Sequence, residues 1–430
     1  MTSARALAGL AALCLAGYVY VYTSGIAPEP IRSDGFSYYV YLPSVFLYGD
    51  TTLASVARDC CGGAFPENTG ILRWPGTRRW VNVHPIGVAV MQSPFFPFAH
   101  ALTRWTNLSP DGFTLYYQHA AGVAGVVMAV AGLAFVRLLL RPHFSDPVVA
   151  WTLVTLLLGT NLYHYATFDS SYSHPYSFLL VAVFMYLISQ WYERPARRTS
   201  VLLGLVAGLI VLVRHPNALL LNLFWMYGLF LPNSATGLLR MYSRHRTELL
   251  RIAAVTCLVV TPQLLLYYQA TGRLLVSSYG ELGFNWLSPR IVDVLFSVTK
   301  GLFFWSPVLG LAAAGLVLLA RSANRLRSFA GPTFLLLATH LYVIASWWDW
   351  QLGGSYGSRG FVDVLPFFAL GLAPFFEWTS RSRARLTGAS VVVAAAVFLS
   401  VFQMLQYWHG LIPFNDMTWE QYREVFLRWR

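Results

Sequence analysis

Long apolar runs alternate with short polar segments along most of the chain. A helix that crosses a bilayer needs roughly 20 mostly apolar residues. The sequence offers about eleven runs of suitable length and composition: 4–22, 115–140, 148–166, 175–192, 201–213, 218–231, 249–270, 302–320, 329–346, 361–376 and 389–407. The pattern therefore predicts an all-α polytopic membrane protein that forms one transmembrane domain over residues 1–430. The first run has the length of a signal peptide, but no small-residue cleavage site follows it, so we expect an uncleaved span.

Arginines are concentrated in every second loop of this arrangement. If the N-terminus is cytoplasmic, the inside loops hold five dense clusters: Arg137 and Arg141; Arg194, Arg197 and Arg198; Arg240, Arg244, Arg246 and Arg251; Arg321, Arg325 and Arg327; and Arg381, Arg383 and Arg385. Cytoplasmic loops of membrane proteins carry an excess of Lys and Arg. The distribution thus predicts a cytoplasmic N-terminus and an external C-terminus, and it supports the number of spans.

One further apolar run, residues 84–102, is not predicted to cross the bilayer. It contains three prolines and two histidines, which disfavour a straight membrane helix. Counting it as a span would also move Arg137 and Arg141 to the outside. We expect one or two helices in the outer interface. The first outer loop then runs over residues 23–114, a length typical of structured, functional loops. A short outer tail covers residues 409–430 and is predicted to hold a small amphipathic helix.

Composition agrees with a membrane location and narrows the partners. The chain is 56% hydrophobic and only 11% charged, against about 25% charged residues in soluble domains. The net charge of +12 comes almost entirely from arginine. In this context the arginines orient spans and meet anionic headgroups, so no nucleic-acid partner is expected. The four cysteines give no disulfide framework or metal-ligand spacing, and pairing the adjacent Cys60 and Cys61 would be strained.

The placement of ionisable residues separates the function classes. Proton- or ion-coupled transporters place acids or broken helices near the membrane midplane, whereas no Asp or Glu lies mid-span here. His164 and His340 are isolated on apolar helices, and we expect them to be hydrogen-bonded packing residues. The polar chemistry is instead predicted in the outer segments, which are 31–50, 167–177, 214–217, 271–290 and 347–360.

Asp34, in the segment "IRSDGFSYYVYLPSVFLYGD", has two interpretations. In the first, Ser33 or Asp34 caps a short helix that holds Tyr38 and Tyr39, a contribution of about 1 kcal/mol. In the second, Asp34 is a general base at the mouth of a membrane cavity. Both can hold together, because the positive end of a helix keeps such a carboxylate ionised.

Four features in sequence order resemble the GT-C class of membrane glycosyltransferases, which includes protein O-mannosyltransferases and lipid A aminoarabinose transferases. The first is a span followed by a loop acid, Asp34, and a row of aromatics. The others are "HPIGVAVMQSPFF", similar to an interfacial His-Pro helix, "GLVAGLIVLVRHPNALLLN", similar to a Gly-rich span that turns back after an arginine, and "WWDWQLGGSYGSRGFVDVLP", similar to a late outer loop with Gly-Gly and an arginine. Together they extend over most of the chain.

The sequence also departs from this family. Gly35 follows Asp34 where the mannosyltransferase pattern has a second acid, and the second outer loop has only Asp169 in place of Asp-x-Asp. Asp169 and His174 make a weak metal pair, because a site needs three or more ligands. We therefore assign no metal-ligating residue and no certain cofactor, although a divalent metal stays possible.

The resemblance implies a sugar transfer at the outer face of a bacterial inner membrane, in the midst of membrane lipids. The donor would be a polyprenyl-phosphate sugar and the acceptor a hydroxyl of a lipid, glycan or protein. Asp34 would be the general base of an inverting displacement. Donor phosphate would be bound by Arg359, with Arg214, Arg290 and Lys300 as further candidates; Arg290 and Lys300 also fit interfacial anchors. Substrate contacts are expected from Tyr38, Tyr39, His84, Asp169, His174 and Trp350, although the aromatics fit an interfacial belt equally well.

A distance follows from this chemistry. The base must reach the incoming hydroxyl and the cation must reach the leaving phosphate, on opposite sides of one sugar carbon. We therefore expect Asp34 and Arg359 to face one cavity, roughly 6 to 12 Å apart. The alternative function is a lipid or glycolipid flippase, which would need a hydrophilic groove open to both leaflets.

Overall fold

The computed structural model describes residues 2–232, 234–276 and 283–429. Over these residues the protein is helical apart from one two-stranded sheet, which confirms the all-α prediction. Seven helical segments in this part of the chain are long and apolar enough to cross a membrane: Ser3–Thr23, Leu115–Leu140, His174–Glu193, Arg246–Thr271, Arg325–Ser346, Arg359–Ser380 and Arg383–Trp408. Two of them begin with a 3₁₀ turn, Arg325–Phe329 and Arg359–Val364.

The predicted number of about eleven spans is not confirmed, because the other four runs form shorter or broken helices. The run 148–166 divides into Asp146–Leu158 and Leu162–Thr167. The run 302–320 divides into Leu302–Trp305 and Val308–Ala320. Gly159, Thr160 and Asn161 interrupt the run 148–166, and Pro307 interrupts the run 302–320. Apolar character continued through both breaks, so hydropathy did not reveal them.

The remaining two runs lie side by side in sequence. Arg197–Val213 is a single helix of 17 residues. The run 218–231 forms the 3₁₀ segment His215–Asn222 followed by the helix Leu223–Leu229. Pro216, which follows His215, cannot continue the helix Arg197–Val213 and lies at the start of the 3₁₀ segment. Both helical regions therefore stay short.

Large apolar side chains are exposed along several of the long helices. On Arg246–Thr271, Leu250 and Leu258 are 68% and 71% exposed, and on Arg383–Trp408, Val391 is 65% exposed. A water-soluble protein rarely exposes contiguous apolar surface of this extent. These faces are therefore suited to lipid, in agreement with a membrane protein.

A close helix pair joins Arg197–Val213 to Arg246–Thr271. A Cβ atom at Gly204 would lie 2.7 Å from Val255 Cβ, and one at Gly208 would lie 2.6 Å from Val259 Cβ. Small residues four positions apart let two membrane helices approach along their backbones. The Gly-rich character of this run thus has a packing cause.

Three of the arginine-rich loops meet at one end of the helix bundle. A cavity of about 600 Å³ is lined by Arg141, Glu193 and Arg325, which belong to three different loops. The Asn324 side-chain amide donates to the His143 carbonyl at 3.3 Å across the same region. These three loops therefore lie at one end of the bundle, and the side of the membrane that this end faces stays a prediction.

The first outer loop folds around a small core of its own. Buried side chains from its helices and strands form one cluster that includes Ile31, Tyr39, Leu53, Phe65, Ile71 and Phe96. The strands Ile71–Arg73 and Trp80–Asn82 are antiparallel, with Ile71 opposite Asn82. The loop's helical segments are Asp34–Tyr39, Tyr41–Phe46, Ala54–Cys61, Glu67–Thr69, Gly87–Gln92 and Phe96–Trp105.

Two details of this loop bear on the sequence expectations. The apolar run 84–102 forms two short helices of six and ten residues, Gly87–Gln92 and Phe96–Trp105. Neither helix alone is long enough to cross a bilayer, which agrees with the expected one or two helices. Their position in the outer interface stays a prediction. The structure joins the adjacent Cys60 and Cys61 in a disulfide, a pairing that the sequence predicts to be strained but does not exclude.

Short helices complete the described chain: Ala235–Arg244, Ile291–Phe296 and Trp419–Val425. The last of these begins with a capping box between Thr418 and Gln421. It lies in the tail, as predicted, and packs back on the bundle through a hydrogen bond of 2.8 Å from the Gln403 amide to the Tyr422 hydroxyl. Of the predicted outer segment 271–290, residues 277–282 lie outside the described residues.

Candidate functional site

Asp34 and Arg359 form a direct ion pair. The Arg359 Nη1 atom lies 3.0 Å from Asp34 Oδ2, although 325 positions separate the two residues. Their side chains are 26% and 17% exposed, with Asp34 the more exposed of the two. The prediction that these residues meet is confirmed. The predicted separation of roughly 6 to 12 Å is wrong, because without a substrate the two opposite charges satisfy each other in this partly buried place. This direct ion pair counts against the expected chemistry, because it occupies both groups that the substrates would need. The expectation that the two residues face one cavity stays a prediction.

The backbone around Asp34 shows that its role is not that of a cap. The helix Asp34–Tyr39 follows Ser33, which has a φ of 47° and makes no side-chain capping hydrogen bond. Asp34 is the first helical residue, and its carboxylate bonds to Arg359 instead of to the helix amides. The capping interpretation is therefore wrong for both residues.

Gly35 explains one departure from the glycosyltransferase pattern. A Cβ atom at this position would lie 2.2 Å from Ser171 Oγ. Ser171 is fixed in turn, because its hydroxyl donates to the Pro30 carbonyl at 2.6 Å. A second acid after Asp34 would clash here, so the packing requires glycine.

The electrostatic surroundings keep Asp34 ionised. Burial alone would raise the pKa of Asp34, but the charge of Arg359 and the hydrogen bond from Arg359 hold it below its usual range. Burial lowers the pKa of His84, and the nearby Asp34 only partly opposes this. His84 is therefore neutral at pH 7 and offers one acceptor nitrogen.

His84 has an unused hydrogen-bonding atom at this position. Within the described part of the chain, its Nδ1 atom is buried without a hydrogen-bond partner. The Tyr38 ring packs edge-on against the imidazole, with 4.6 Å between the ring centroids. Tyr38 is itself buried, and the charges of Arg214, Asp34 and Arg359 all act on its hydroxyl. These five residues therefore form one polar group.

Asp169 belongs to a second ion cluster. It accepts from Arg32 Nη2 at 2.8 Å and bonds to His164 Nε2 at 2.9 Å. Trp408 donates to the other His164 nitrogen at 2.9 Å. Burial would raise the pKa of Asp169, but the His164 hydrogen bond and the charges of Arg32 and Arg359 lower it. His164 is thus a hydrogen-bonded packing residue, as predicted, and Asp169 is fully engaged.

Asp363 is the centre of a third cluster that sequence reasoning missed. This carboxylate is completely buried and accepts from His174 Nδ1 at 2.9 Å, from Arg214 Nη1 at 2.8 Å and from the Asn217 amide at 2.9 Å. The predicted site residues His174 and Arg214 are therefore held by an acid that had not been considered. A carboxylate within an apolar run needs buried partners, and this was the signal available in "FVDVLP".

Asp169 and His174 do not form a metal pair. Each is bonded within a different cluster. Across residues 2–232, 234–276 and 283–429, no group of three or more His, Cys, Asp or Glu side chains could hold a metal ion. The possible divalent metal thus gains no ligand set from the described residues.

Lys300 is buried, and backbone oxygens hold its side-chain amine. Its Nζ atom donates to the Ser355 carbonyl and, at 2.7 Å, to the Phe414 carbonyl. Burial lowers the pKa of this amine, and the charge of Arg359 lowers it further, to about 7. Lys300 therefore connects the segment 347–360 to the tail 409–430. Both hydrogen bonds must break before Lys300 can bind phosphate.

Three more predicted contact residues lie outside the Asp34 group, as Asp169, His174 and Lys300 do. Arg290 is at the surface, where it pairs with Asp293 at 3.4 Å. The Tyr39 hydroxyl donates to the Gly112 carbonyl at 2.6 Å inside the core of the first outer loop. Trp350 is half-buried against the main core. The structure thus brings together Asp34, Arg359, His84, Tyr38 and Arg214, and it assigns Arg290 and Tyr39 to other contacts.

Comparison with known proteins finds no matching family and no matching curated protein. The chemistry of the site must therefore be judged from its own geometry.

Three carboxylates lie in this region, and they differ in solvent exposure and in the number of their ionic partners. Asp169 is 9% exposed with two ionic partners, and Asp363 is 0% exposed with His174 and Arg214 as ionic partners. Asp34 is 26% exposed, and among the described residues Arg359 is its one ionic partner.

Proposed function

We propose that this protein is a membrane glycosyltransferase that moves a sugar from a polyprenyl phosphate to an acceptor hydroxyl. The observation that carries the proposal is the partly exposed Asp34–Arg359 pair, with its side chains 3.0 Å apart. It supplies, at one point, a carboxylate that can accept a proton and a guanidinium that can bind phosphate. The other two carboxylates of the region are too fully engaged for this role.

In this proposal the donor opens the ion pair. Its phosphate is a diester with one negative charge and two non-bridging oxygens, so it matches the planar fork of arginine as a carboxylate does and can compete with Asp34 for Arg359. Binding of the phosphate to Arg359 would release Asp34 from its present partner. The carboxylate would then be free, still ionised, and next to the sugar. The ion pair is thus the resting state of the empty protein, and binding of the donor frees Asp34 to act as the base.

The reaction then balances as a single displacement. The acceptor oxygen bonds to the anomeric carbon while the bond from that carbon to the phosphate oxygen breaks. Asp34 takes the hydroxyl proton, and polyprenyl phosphate leaves with the negative charge, which Arg359 stabilises. Because one displacement occurs, the anomeric configuration inverts.

Two neighbours would orient the reactants. The unpaired Nδ1 atom of His84 is suited to accept a hydrogen bond from a sugar or acceptor hydroxyl. Arg214 is 21% exposed and bonded to Asp363, so it would add positive charge beside the phosphate while staying in place. The Asp363 cluster would hold both His174 and Arg214 at the correct positions.

The membrane arrangement is part of the same proposal. We propose about eleven crossings, with the four shorter or broken helical regions as spans, a cytoplasmic N-terminus and the Asp34 group at the outer face. The arginine-rich loops that share one end of the bundle support this orientation. In a bacterium the site would face the periplasm, where the lipid-linked sugar and the acceptor meet.

An assay with labelled polyprenyl-phosphate sugars and membrane extracts as acceptors tests the proposal. The purified protein in nanodiscs should release free polyprenyl phosphate and transfer the label. Asp34→Asn should abolish most of this transfer, whereas Asp293→Asn, which removes a surface carboxylate paired at 3.4 Å, should not change it. A lipid or glycolipid flippase would move the intact donor between leaflets without breaking the sugar–phosphate bond. Translocation without bond cleavage would therefore replace this proposal by the alternative.

A further inference from the structure

A second polar site lies in the first outer loop, at the tip of its β-hairpin. The two strands are joined by a tight turn in which the Trp74 amide donates to the Arg79 carbonyl at 2.8 Å and the Arg78 amide donates to the Trp74 carbonyl at 2.7 Å. A cavity of about 340 Å³ opens between this tip and the helix Ala54–Cys61. Its lining includes four arginines: Arg58, Arg73, Arg78 and Arg79.

Two of these arginines are fixed by neighbouring groups. The Arg73 guanidinium lies over the Trp80 ring, 4.3 Å from the ring centroid, and donates to the Arg78 carbonyl at 3.0 Å. Arg79 donates to the Gln269 carbonyl at 2.6 Å, at the end of the long helix Arg246–Thr271. Arg73 and Arg79 contact an aromatic ring and carbonyl oxygens. Because these groups carry no negative charge, they do not neutralise the two guanidiniums.

Acidic neighbours do not neutralise the cavity. Asp59 pairs with Arg58 at 2.9 Å; the Arg58 side chain is 72% exposed and the Asp59 side chain 41%. Asp50 is occupied by the amides of Thr52 and Ser55, at 2.7 and 2.9 Å. Hydrogen bonds from amides leave the negative charge of Asp50 in place. With four arginines in the lining and two carboxylates nearby, Asp59 and Asp50, the excess is two positive charges (4 − 2).

Such a concentration of like charge is unfavourable without a counter-charge. It also opposes the usual bias, which places arginines in the cytoplasmic loops of membrane proteins. Arginine forks pair with phosphate through parallel hydrogen bonds, and the two fixed guanidiniums lose little conformational freedom when they bind. The arrangement is therefore organised for an anion with several oxygen acceptors.

We propose that the hairpin cavity of the first outer loop is a binding site for a phosphate group. The phosphate belongs either to an anionic lipid headgroup at the adjacent membrane surface or to a phosphorylated molecule in solution. This site is separate from Asp34 and Arg359, and it does not depend on the proposed sugar transfer.

The test uses the full chain, purified in a neutral detergent, and inorganic pyrophosphate as the probe. Binding is measured by isothermal titration calorimetry at low salt. The double variant Arg58→Gln/Arg78→Gln removes two charges and spares the two fixed arginines, and it should weaken binding at least about tenfold. The control Arg290→Gln/Arg423→Gln removes two charges from other exposed arginines and should keep the wild-type affinity. Equal weakening in both double variants would overturn the proposal.

A second variant acts in the opposite direction. Asp59→Asn removes the carboxylate that competes for Arg58, so pyrophosphate should bind severalfold more tightly than to the wild type. A folding defect would not produce tighter binding. No measurable binding to the wild type, or no gain in Asp59→Asn, would overturn the proposal.

Nanodiscs distinguish the two sources of phosphate. If the site takes a lipid headgroup, discs that contain phosphatidate should weaken pyrophosphate binding relative to discs of phosphatidylcholine alone. If it takes a soluble molecule, the two kinds of disc should give the same pyrophosphate affinity. In both cases the double variant Arg58→Gln/Arg78→Gln must bind pyrophosphate more weakly than the wild type.

Discussion

Replacing Asp34 by asparagine separates a catalytic carboxylate from a structural one. The change removes one negative charge and keeps an oxygen at nearly the same position. In the empty protein Arg359 then loses its ionic partner at 3.0 Å. If the donor phosphate and Asp34 compete for Arg359, the variant should bind the donor at least as tightly as the wild type and yet turn it over slowly.

The magnitudes follow from the exposure of the pair and from its proposed chemistry. Exposed ion pairs contribute about 0.2–1 kcal/mol, and breaking a fully buried pair costs about 3–5 kcal/mol. With side chains 26% and 17% exposed, we expect an intermediate loss of about 1–2 kcal/mol in the free energy of unfolding. Loss of the general base should lower kcat by about 10²–10⁴, equivalent to about 2.7–5.4 kcal/mol in the activation barrier.

The assay measures kcat and donor affinity in the same nanodisc preparation, together with the thermal unfolding temperature. Arg359→Gln is the companion variant and should weaken donor binding as well as turnover. Asp293→Asn is the matched control, since it removes a carboxylate from a surface pair with Arg290. A charge exchange, Asp34→Arg with Arg359→Asp, should leave the enzyme inactive even if it restores the unfolding temperature.

Two results would refute this reasoning. Near-normal turnover in Asp34→Asn with the true donor and acceptor would show that the carboxylate is not the base. Recovery of activity in the charge exchange would show that the pair only holds the loop in place. In either case Asp169, the next most exposed acid of the region at 9%, becomes the residue to test.

Three further predictions follow from the described contacts. Asp363→Asn should lower the free energy of unfolding by about 2–4 kcal/mol, because it removes a fully buried carboxylate and leaves the partly exposed Arg214 charge unpaired, and thermal unfolding should show a larger loss than for Asp34→Asn. The pKa of Lys300 is lowered to about 7 in the folded protein, so between pH 7 and its unfolded value near 10.5 only the unfolded chain binds this proton. The stability of the wild type relative to Lys300→Met should therefore rise with pH across that window. A difference in unfolding temperature that does not change with pH would contradict the lowered pKa. Cysteines introduced at Leu72 and Thr106, in a variant without native cysteines, should react with an impermeant reagent from the same outer side, whereas labelling from opposite sides would make the segment between them a crossing.

Hydrophobic patterning predicted the helices and the two short helices of 84–102, because burial in lipid or core selects apolar side chains regardless of tertiary detail. It did not predict where a run breaks, since the Ser306–Pro307 and Gly159–Asn161 interruptions lie inside sequence that remains apolar overall. The meeting of Asp34 with Arg359 came from the resemblance to a family. Their separation could not be predicted, because it depends on how closely the packed loops approach in the absence of substrate.

The third cluster shows a different limit. Asp363 was overlooked because one acid in an apolar run changes the mean hydropathy very little. Its three partners come from two segments, one around residue 174 and one at 214–217, and no local pattern connects these segments to each other or to Asp363. The cost of an unpaired charge in such a place could have identified Asp363 as a residue with partners, but it could not have named them.

The 325 positions between Asp34 and Arg359 also have a consequence for biogenesis. At usual rates of synthesis, about 5–20 residues per second, the ribosome makes Arg359 roughly 16–65 s after Asp34. During that interval the first outer loop has emerged and can fold around its own core, but its acid has no counter-ion. Any nascent chain that stops before the Arg359–Ser380 helix is inserted carries half of the site. The competence of this protein is therefore decided by one of its last insertion steps, and a truncated chain would reach the membrane without the arginine that completes the pair.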